Sequence, residues 1–371
     1  MNLETHLTTE PENRAGQARL RDKMGHAVRD LHPGYGALVM ATGIVSLGAG
    51  SFDLHSIAWL LARLGEAAYL VLVAALAARL WFFPASAHSD FHDRLRGPGF
   101  FTLVAATCIL GTQLLTTGDL FAAWLLWLVG AGLWLVLTYA FFAAMIGEEL
   151  KPPLRAALDG GWLVAVVASQ SVSILGTLLA AKRPASRDAL LFIALLVYLL
   201  ADVLYLLIMA LLLQRLLVQP LTPAEFTPPY WISMGAAAIT TLAGSTLMLH
   251  APAGSVLASL HQFLTGLTLL FWATATWWIP LLVILEIRLH LRERSRPRYD
   301  PAQWDIVFPL GMYAVATEAL ARATALPFLS GIAHAAFYPA LSAWTIVGAG
   351  GLYSLRSWLT SDTLARTRVD V

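Results

Sequence analysis

The segment PGYGALVMATGI, residues 33–44, recurs 65 residues later as PGFFTLVAATCI, residues 98–109. Pro, Gly, Leu, Val, Ala, Thr and Ile coincide in the two copies, and an aromatic residue follows each Pro-Gly pair. Weaker copies occur as GGWLVAVVASQS at 160–171, PPYWISMGAAAI at 228–239 and FPLGMYAVAT at 308–317. Because each copy lies two apolar segments after the previous one, the sequence predicts a fold assembled from a repeated structural unit.

The composition is that of an integral membrane protein. Of the 371 residues, 58% are hydrophobic and 13% are charged, against about 45–50% and about 25% in soluble domains. Runs of about 20 apolar residues can cross a hydrocarbon layer of about 30 Å as helices. We predict an all-α domain over 33–358, with a cytoplasmic N-terminal tail (1–32) and a cytoplasmic C-terminal tail (359–371). The ten expected spans lie near 33–52, 56–83, 98–117, 119–146, 159–181, 188–214, 229–250, 255–287, 303–326 and 330–358.

The odd-numbered and even-numbered spans differ in composition. Odd spans begin with Pro or Gly and an aromatic residue, and continue with small and hydroxyl-bearing residues, whereas even spans are rich in Leu, Val and Trp. Bulky apolar helices suit a lipid-facing position, and small residues suit close packing or a polar route. The alternation therefore predicts five helical hairpins around a central pore, with the odd helices inside. Close packing without a pore is the alternative.

The distribution of Lys and Arg predicts the orientation in the membrane. Most lie at the N-terminus, at the C-terminus, or in the connections after the even spans, and the densest run is 288–298. The opposite side carries only Lys182, Arg183 and Arg187. Positively charged residues are retained on the cytoplasmic side of a membrane. We therefore expect the protein in the plasma (inner) membrane, with both termini in the cytoplasm.

Four motifs resemble one transport family. They are VMATGIVS (39–46), PPYWISMGAAAITTLAG (228–244), WWIPLL (277–282) and WDIVFPLGMYAVAT (304–317). In this order and with ten spans, the chain resembles the tellurite-resistance/C4-dicarboxylate transporter family. That family includes yeast malate carriers, fungal sulfite exporters and the plant slow-type (voltage-dependent) anion channels. The resemblance implies a five-hairpin ring around a pore, and a homotrimer with one pore in each subunit.

The resemblance also implies a gate, because in that family a Phe directly before Pro in the ninth helix plugs the pore. The matching residues are Phe308 and Pro309. Proline removes an amide donor and disfavours helical geometry at the residue before it. A ring in a narrow apolar route blocks ions by size and by excluding water. The alternative is that Phe308 is an ordinary packing residue.

Small and polar residues on the odd spans are the candidates for lining the route. Hydroxyl and amide groups can bind an anion weakly enough for it to pass, and a glycine allows close approach of the backbone. The alternative for each hydroxyl is a hydrogen bond to a carbonyl of its own helix. The candidates are Thr42, Gly43, Ser46, Thr107, Ser169, Gln170, Ser171, Thr240 and Thr241.

Charged residues inside spans form a second group of candidates, because each is costly in lipid unless paired or functional. Glu318 and Arg322 are four residues apart, so they can pair on one helix face, or Arg322 can attract anions. Arg63 and Glu66 have the same possibility at a spacing of three. Asp202 has no such partner in its span and could carry a proton.

The remaining classes of function find little support. No metal-protease, P-loop or nucleophile-elbow motif occurs, and the lone Cys108 excludes an intramolecular disulfide. We expect no enzymatic activity, cofactor, metal or nucleic-acid partner. The expected function is passage of a small anion, either a C4-dicarboxylate such as malate or a tellurite-like oxyanion, through a gated pore. The alternatives are a sulfite, nitrate or chloride channel, a proton-coupled carrier using Asp202 or Glu318, or a structural or receptor protein in contact with lipid.

Overall fold

The computed structural model describes residues 21–290 and 299–366, and within them all regular structure is helical. Ten helices are long and apolar enough to span a membrane, which confirms the predicted number. Residues 1–20 of the expected N-terminal tail lie outside the described residues. The spanning helices are α1 Gly36–Ser51, α2 His55–Phe82, α3 Phe101–Thr116, α4 Leu120–Gly147, α5 Val164–Ala180, α6 Arg187–Val218, α7 Ile232–Leu249, α8 His261–His290, α9 Trp304–Thr324 and α10 Phe328–Arg366.

The two largest differences from the predicted boundaries are at the start of the eighth span and at the end of the tenth. The eighth span does not begin at 255, because a separate turn of helix, Val256–Ser259, precedes α8. Gly254 has a φ of 75°, which breaks the chain direction there, and the Ser255 side chain caps the short helix. At the other end, α10 continues past 358 to Arg366, since no Pro or Gly follows Gly351 to stop it.

The odd-numbered helices form a closed inner ring. α1 packs on α3, α3 on α5, α5 on α7, α7 on α9, and α9 returns to α1. The buried share of each odd span is 61–94%, against 17–50% for the even spans. Side chains such as Trp81, Phe121 and Leu217 of the even helices are at least 80% exposed, as expected for contact with lipid. The division of labour between odd and even spans that their composition predicts is therefore present in the structure.

A collar of five short 3₁₀ turns precedes the five inner helices. Proline suits such turns because its φ is fixed and its missing N–H needs no partner in a first turn. The turns contact one another in the same circular order as the helices. A Cβ added at Gly99 would lie 2.7 Å from the backbone nitrogen of Gly34, and one at Gly160 would lie 2.2 Å from Pro229 O, so only glycine fits. The turns are Pro33–Tyr35, Gly97–Phe100, Gly160–Leu163, Pro228–Trp231 and Pro301–Gln303.

Each outer helix is hydrogen-bonded to the inner helix of the next hairpin. In all five interfaces the outer helix contributes a Trp N–H or Tyr O–H, and the inner helix contributes an oxygen. We call this set of contacts the interlock. It comprises Tyr69 with Thr107 Oγ1 (2.9 Å), Trp134 with Ser169 Oγ (2.8 Å), Tyr205 with Ser233 O (3.1 Å), Trp272 with Thr317 Oγ1 (3.0 Å) and Trp344 with Thr42 Oγ1 (3.0 Å).

The interlock predicts a measurable coupling between Trp134 and Ser169. Trp134→Phe removes the indole donor but keeps most of the apolar bulk, so we expect a loss of about 0.5–1.5 kcal/mol in stability. A double-mutant cycle with Ser169→Ala should give a coupling of about 0.6 kcal/mol, the usual size inside membranes. Thermal unfolding in detergent measures both quantities. Trp81→Phe on the lipid-facing surface is the control, and a coupling of zero would contradict the interlock.

Candidate functional site

A wide cavity lies on the axis of the ring, at the end opposite the collar. Its volume is about 580 Å³, and every inner helix contributes to its wall, together with α2. We call this cavity the vestibule. Helix by helix, examples of its lining residues are Ser46 from α1, Thr112 from α3, Ile174 from α5, Thr246 from α7, Val315 from α9 and Arg63 from α2.

A narrow space of about 30 Å³ continues from the vestibule toward the collar. We call it the neck. Leu47, Thr112, Ile174 and Leu242 line both spaces, so the two are contiguous. The neck is apolar except for Cys108, Thr112 and Ser171. Its volume holds one or two water molecules at most, which is too little for an anion with its hydration shell.

The neck is formed by equivalent positions of the sequence repeat. Counting from the first residue of each of the first four copies (33, 98, 160 and 228), and from 301 when the fifth copy is extended back to its Pro, the twelfth position supplies one neck residue from each inner helix. The fifteenth position of every copy lines the vestibule, and so does the nineteenth. Positions twelve, fifteen and nineteen share one face of a helix. The five neck residues at position twelve are Ile44, Ile109, Ser171, Ile239 and Met312.

Phe308 stands four residues before Met312 on α9, and residues at this spacing share a helix face. Its side chain is only 2% exposed, so it does not face lipid. α9 continues through Pro309 without a break. Pro309 packs on α7, since a Cβ added at Gly235 would lie 2.7 Å from Pro309 Cγ.

The predicted lining residues occupy three kinds of place. Ser46 lines the vestibule while donating to Ala58 O at 2.8 Å. Thr42, Thr107 and Ser169 all stand at position ten of the repeat and belong to the interlock. A helix turns by about 100° per residue, so position ten points away from position twelve and toward the outer helices.

The other candidates lie between helices. A Cβ added at Gly43 would lie 2.4 Å from Ile109 Cγ2, so this glycine allows α1 to approach α3. Thr241 donates to Ala237 O of its own helix at 3.0 Å. Ser171 donates to Val167 O at 2.8 Å and lines the neck. Gln170 and Thr240 are turned toward α6.

Gln170, Thr240 and Asp202 form a buried polar cluster away from the axis. Gln170 Nε2 donates to Asp202 Oδ1 at 2.9 Å and to Thr240 Oγ1 at 3.2 Å. Asp202 is 4% exposed, and the hydroxyl of Tyr198, one turn earlier on α6, interacts with it. The hydroxyls of Tyr198 and Thr268 adjoin the cluster at Gly244, 2.9 and 2.2 Å from an added Cβ, and the Tyr198 hydroxyl interacts with both Thr268 and Asp202.

The charged groups of the vestibule are paired. Arg63 contacts Glu66 at 2.5 Å, and Arg322 Nε contacts Glu318 Oε1 at 3.4 Å, at the spacings that predicted these pairs. Both arginines are about half exposed, at 46% and 58% of the side chain, and both line the vestibule. Pairs this exposed contribute little stability. Because about half of each arginine side chain is exposed, its guanidinium group is accessible to an anion in the vestibule.

The collar carries carboxylates that sequence reasoning missed. Asp159 and Asp300 directly precede two of the turns and accept hydrogen bonds from Gly161 N and Ala302 N, both at 2.9 Å. Asp305, in the first turn of α9, interacts electrostatically with both. The available signal was an Asp immediately before a Gly or Pro that starts a repeat, which is a common capping position.

Comparison with known proteins identifies the family of the chain. The family model described as voltage-dependent anion channel matches residues 30–352. An uncharacterized membrane protein of Mycobacterium tuberculosis is 42% identical over 137 residues, which is 36% of this chain and 68% of that protein. An uncharacterized transporter of Methanocaldococcus jannaschii is 20% identical over 299 residues, which is 78% of this chain and 85% of that protein. The chain belongs to the voltage-dependent anion channel family.

The collar predicts a pH effect at Asp159. Burial raises the pKa of Asp159 from 3.8 to about 6, although the Gly161 amide and Arg215 favour its charged form. Between these values the folded protein keeps a proton that the unfolded chain has lost, so stability falls as pH rises through this window. Asp159→Asn keeps the cap but cannot ionise. It should be more stable than the wild type by about 1–2 kcal/mol above pH 6.

Thermal unfolding in detergent, from about pH 4 to about pH 7, tests this prediction. At the acidic end both proteins carry a neutral side chain at position 159, so their stabilities should converge, which provides an internal control. A difference between the two proteins that stays constant over the whole range would contradict the assignment.

Proposed function

We propose that this member of the voltage-dependent anion channel family carries small anions along the axis of its inner ring, and that Phe308 closes the path. The proposed substrate is a C4-dicarboxylate such as malate or a tellurite-like oxyanion. A sulfite, nitrate or chloride channel is the alternative within this class. The protein is proposed to act as a homotrimer, in line with the family resemblance, and to have both termini in the cytoplasm. The collar then faces the cytoplasm and the vestibule faces the opposite side.

The position of Phe308 in the repeat is the observation that carries the proposal. It stands at position eight, one helical turn from the neck position on the same axial face. The equivalent residues of α1, α3, α5 and α7 are Met40, Ala105, Val167 and Gly235, and all are buried. Ala105 and Gly235 are small, and they leave room at this level for the ring of Phe308 beside the larger Met40 and Val167.

The vestibule supports an anionic substrate. Two arginines line it, and an anion concentrated there must lose water before it enters the apolar neck. An apolar constriction excludes ions until it widens or fills with water. A Phe on the collar side of such a neck extends the apolar barrier. Rotation of its side chain, or a movement of α9 relative to Gly235, would shorten that barrier.

Replacement of Phe308 tests the proposed gate. Phe308→Ala should raise anion flux in proteoliposomes by about tenfold or more, which corresponds to lowering the barrier by about 1.4 kcal/mol. Flux of malate, nitrate and chloride under a fixed membrane potential is the measurement. Phe141→Ala, which removes an equally buried ring from the outer helix α4, is the control for loosened packing. An equal increase in both variants would contradict a gate at Phe308.

Asp202 favours a second candidate, a proton-coupled anion carrier. Among the described residues no Lys, Arg or His forms an ion pair with it, and an unpaired charge inside a membrane is strongly disfavoured. A neutral, protonated carboxyl that connects α6 to Gln170 of α5 would release its proton only when the helices rearrange. Glu318 is the less favourable proton carrier, because Arg322 already contacts it.

Asp202→Asn separates the two mechanisms. For a carrier, this variant should lose flux driven by a pH gradient while keeping its fold, since Asn has the shape of protonated Asp. For a channel, flux should be unchanged within about twofold, because the residue lies off the axis. Asp188→Asn, an exposed acid on the same helix, is the matched control. Anion uptake with and without a pH gradient is the readout.

A further inference from the structure

Gln113 of α3 is a buried amide at the floor of the vestibule. Its side chain is 5% exposed, it lines the cavity, and its Nε2 has no hydrogen-bond partner within the described structure. An unpaired buried amide costs about 1–3 kcal/mol. Such a group is rare in a folded protein and calls for a physical explanation.

Two glycines hold this amide in place. A Cβ added at Gly43 of α1 would lie 3.5 Å from Gln113 Oε1, and one at Gly65 of α2 would lie 3.9 Å from it. The amide is therefore seated between α1 and α2 by packing, and its orientation does not depend on hydrogen bonds to the protein. Gly65 lies between Arg63 and Glu66 in the sequence, so the ion pair of the vestibule wall flanks the same place.

The hydroxyl donors of the vestibule are already committed. Every hydroxyl that lines it donates to a backbone carbonyl, as small hydroxyls in helices commonly do. Within the described wall, the amide of Gln113 is the remaining neutral donor among hydroxyl and amide groups. The committed hydroxyls are those of Ser46, Ser51, Thr112, Thr116, Thr117 and Thr246.

The location of Gln113 gives this donor a role. It follows Thr112, which lines both the vestibule and the neck, so it stands where a passing anion begins to lose its water. An oxyanion presents several acceptor oxygens. One can accept from the amide while another faces Arg63, whose guanidinium lines the same cavity. A halide has a single centre and cannot extend between two separate donors.

We propose that Gln113 forms an oxyanion-binding subsite at the floor of the vestibule, where its amide hydrogen-bonds an oxygen of nitrate-like or carboxylate anions and favours them over halides. This inference rests on the proposed function, because it assumes that the vestibule is part of the anion path. It adds a specificity-determining residue and a class of preferred ligand to that path.

Nitrate and chloride provide a matched pair of probes, since both carry one negative charge. In the Phe308→Ala background, Gln113→Leu should raise the nitrate concentration that gives half-maximal flux by about 5- to 30-fold, as expected for loss of one hydrogen bond to a charged group. The value for chloride should change by less than about twofold. Thr274→Val, which removes a committed hydroxyl from the outer helix α8 away from the vestibule, should change neither.

Two outcomes would overturn the subsite. One is an equal change for nitrate and chloride in Gln113→Leu, which would indicate an effect on pore shape, and the other is no change for either anion. If Gln113→Leu fails to fold, Gln113→Met removes the amide with a more flexible side chain, and the same comparison applies.

A binding measurement separates this inference from the proposed function. Nitrate should raise the thermal unfolding temperature of the purified wild type more than chloride does, and Gln113→Leu should abolish the difference. If the Phe308→Ala protein carries no anion but nitrate still stabilises the wild type through Gln113, the proposed conduction fails and the subsite stands. If flux is present and the nitrate preference survives in Gln113→Leu, the subsite fails and conduction stands.

Discussion

The interlock between outer and inner helices is the constraint on which the rest of the structure depends. Lipid offers little hydrophobic drive for helices to associate, so close packing and interhelical hydrogen bonds must supply it. In each of the five interlock contacts, a Trp or Tyr of an outer helix meets an oxygen of the next hairpin, as Trp134 meets Ser169. Such a bond fixes the rotation of the inner helix about its own axis. Once Ser169 points outward, Ser171 at position twelve is turned toward the centre, where it lines the neck.

The composition and the sequence repeat predicted the ten spans, and they predicted that odd spans lie inside and even spans outside. These features depend only on length, apolarity and side-chain volume. They did not predict which side of each inner helix faces the axis. Hydroxyls on the inner helices suggested a polar lining, yet Thr42 and Thr107 satisfy partners on outer helices. The axis is instead lined at the neck by aliphatic residues such as Ile44 and Ile239. Only the contacts distinguish a hydroxyl that binds a neighbour from one that faces a cavity, since both occur in the same composition.

The charges are distributed unevenly along the axis. The vestibule contains Arg63 and Arg322, each beside a carboxylate, whereas the collar contains Asp159, Asp300 and Asp305. Under the proposed function, an anion approaching from the vestibule side meets accessible guanidinium groups, whereas one approaching from the collar meets acidic groups together with Arg96 and Arg215. The charges at the two ends are several helical turns apart, beyond the screening length of about 8 Å at physiological salt. Under the proposed function, the charges of the vestibule and those of the collar therefore each act on an anion only near their own end of the path.

The combination of an apolar neck and a proline-linked aromatic ring has a physical consequence for gating. Closing an anion path with charge would require a buried charge and its desolvation cost, whereas closing it with apolar side chains needs only the exclusion of water. Phe308 and Met312 occupy successive turns of one face of α9, so under the proposed function one helix carries both levels of the barrier. Pro309 packs on Gly235, where any side chain would collide, and this contact ties α9 to α7 at the level of the ring. A displacement of α9 along that contact would move Phe308 and Met312 together, so under the proposed function the position of α9 would set whether the axis is open.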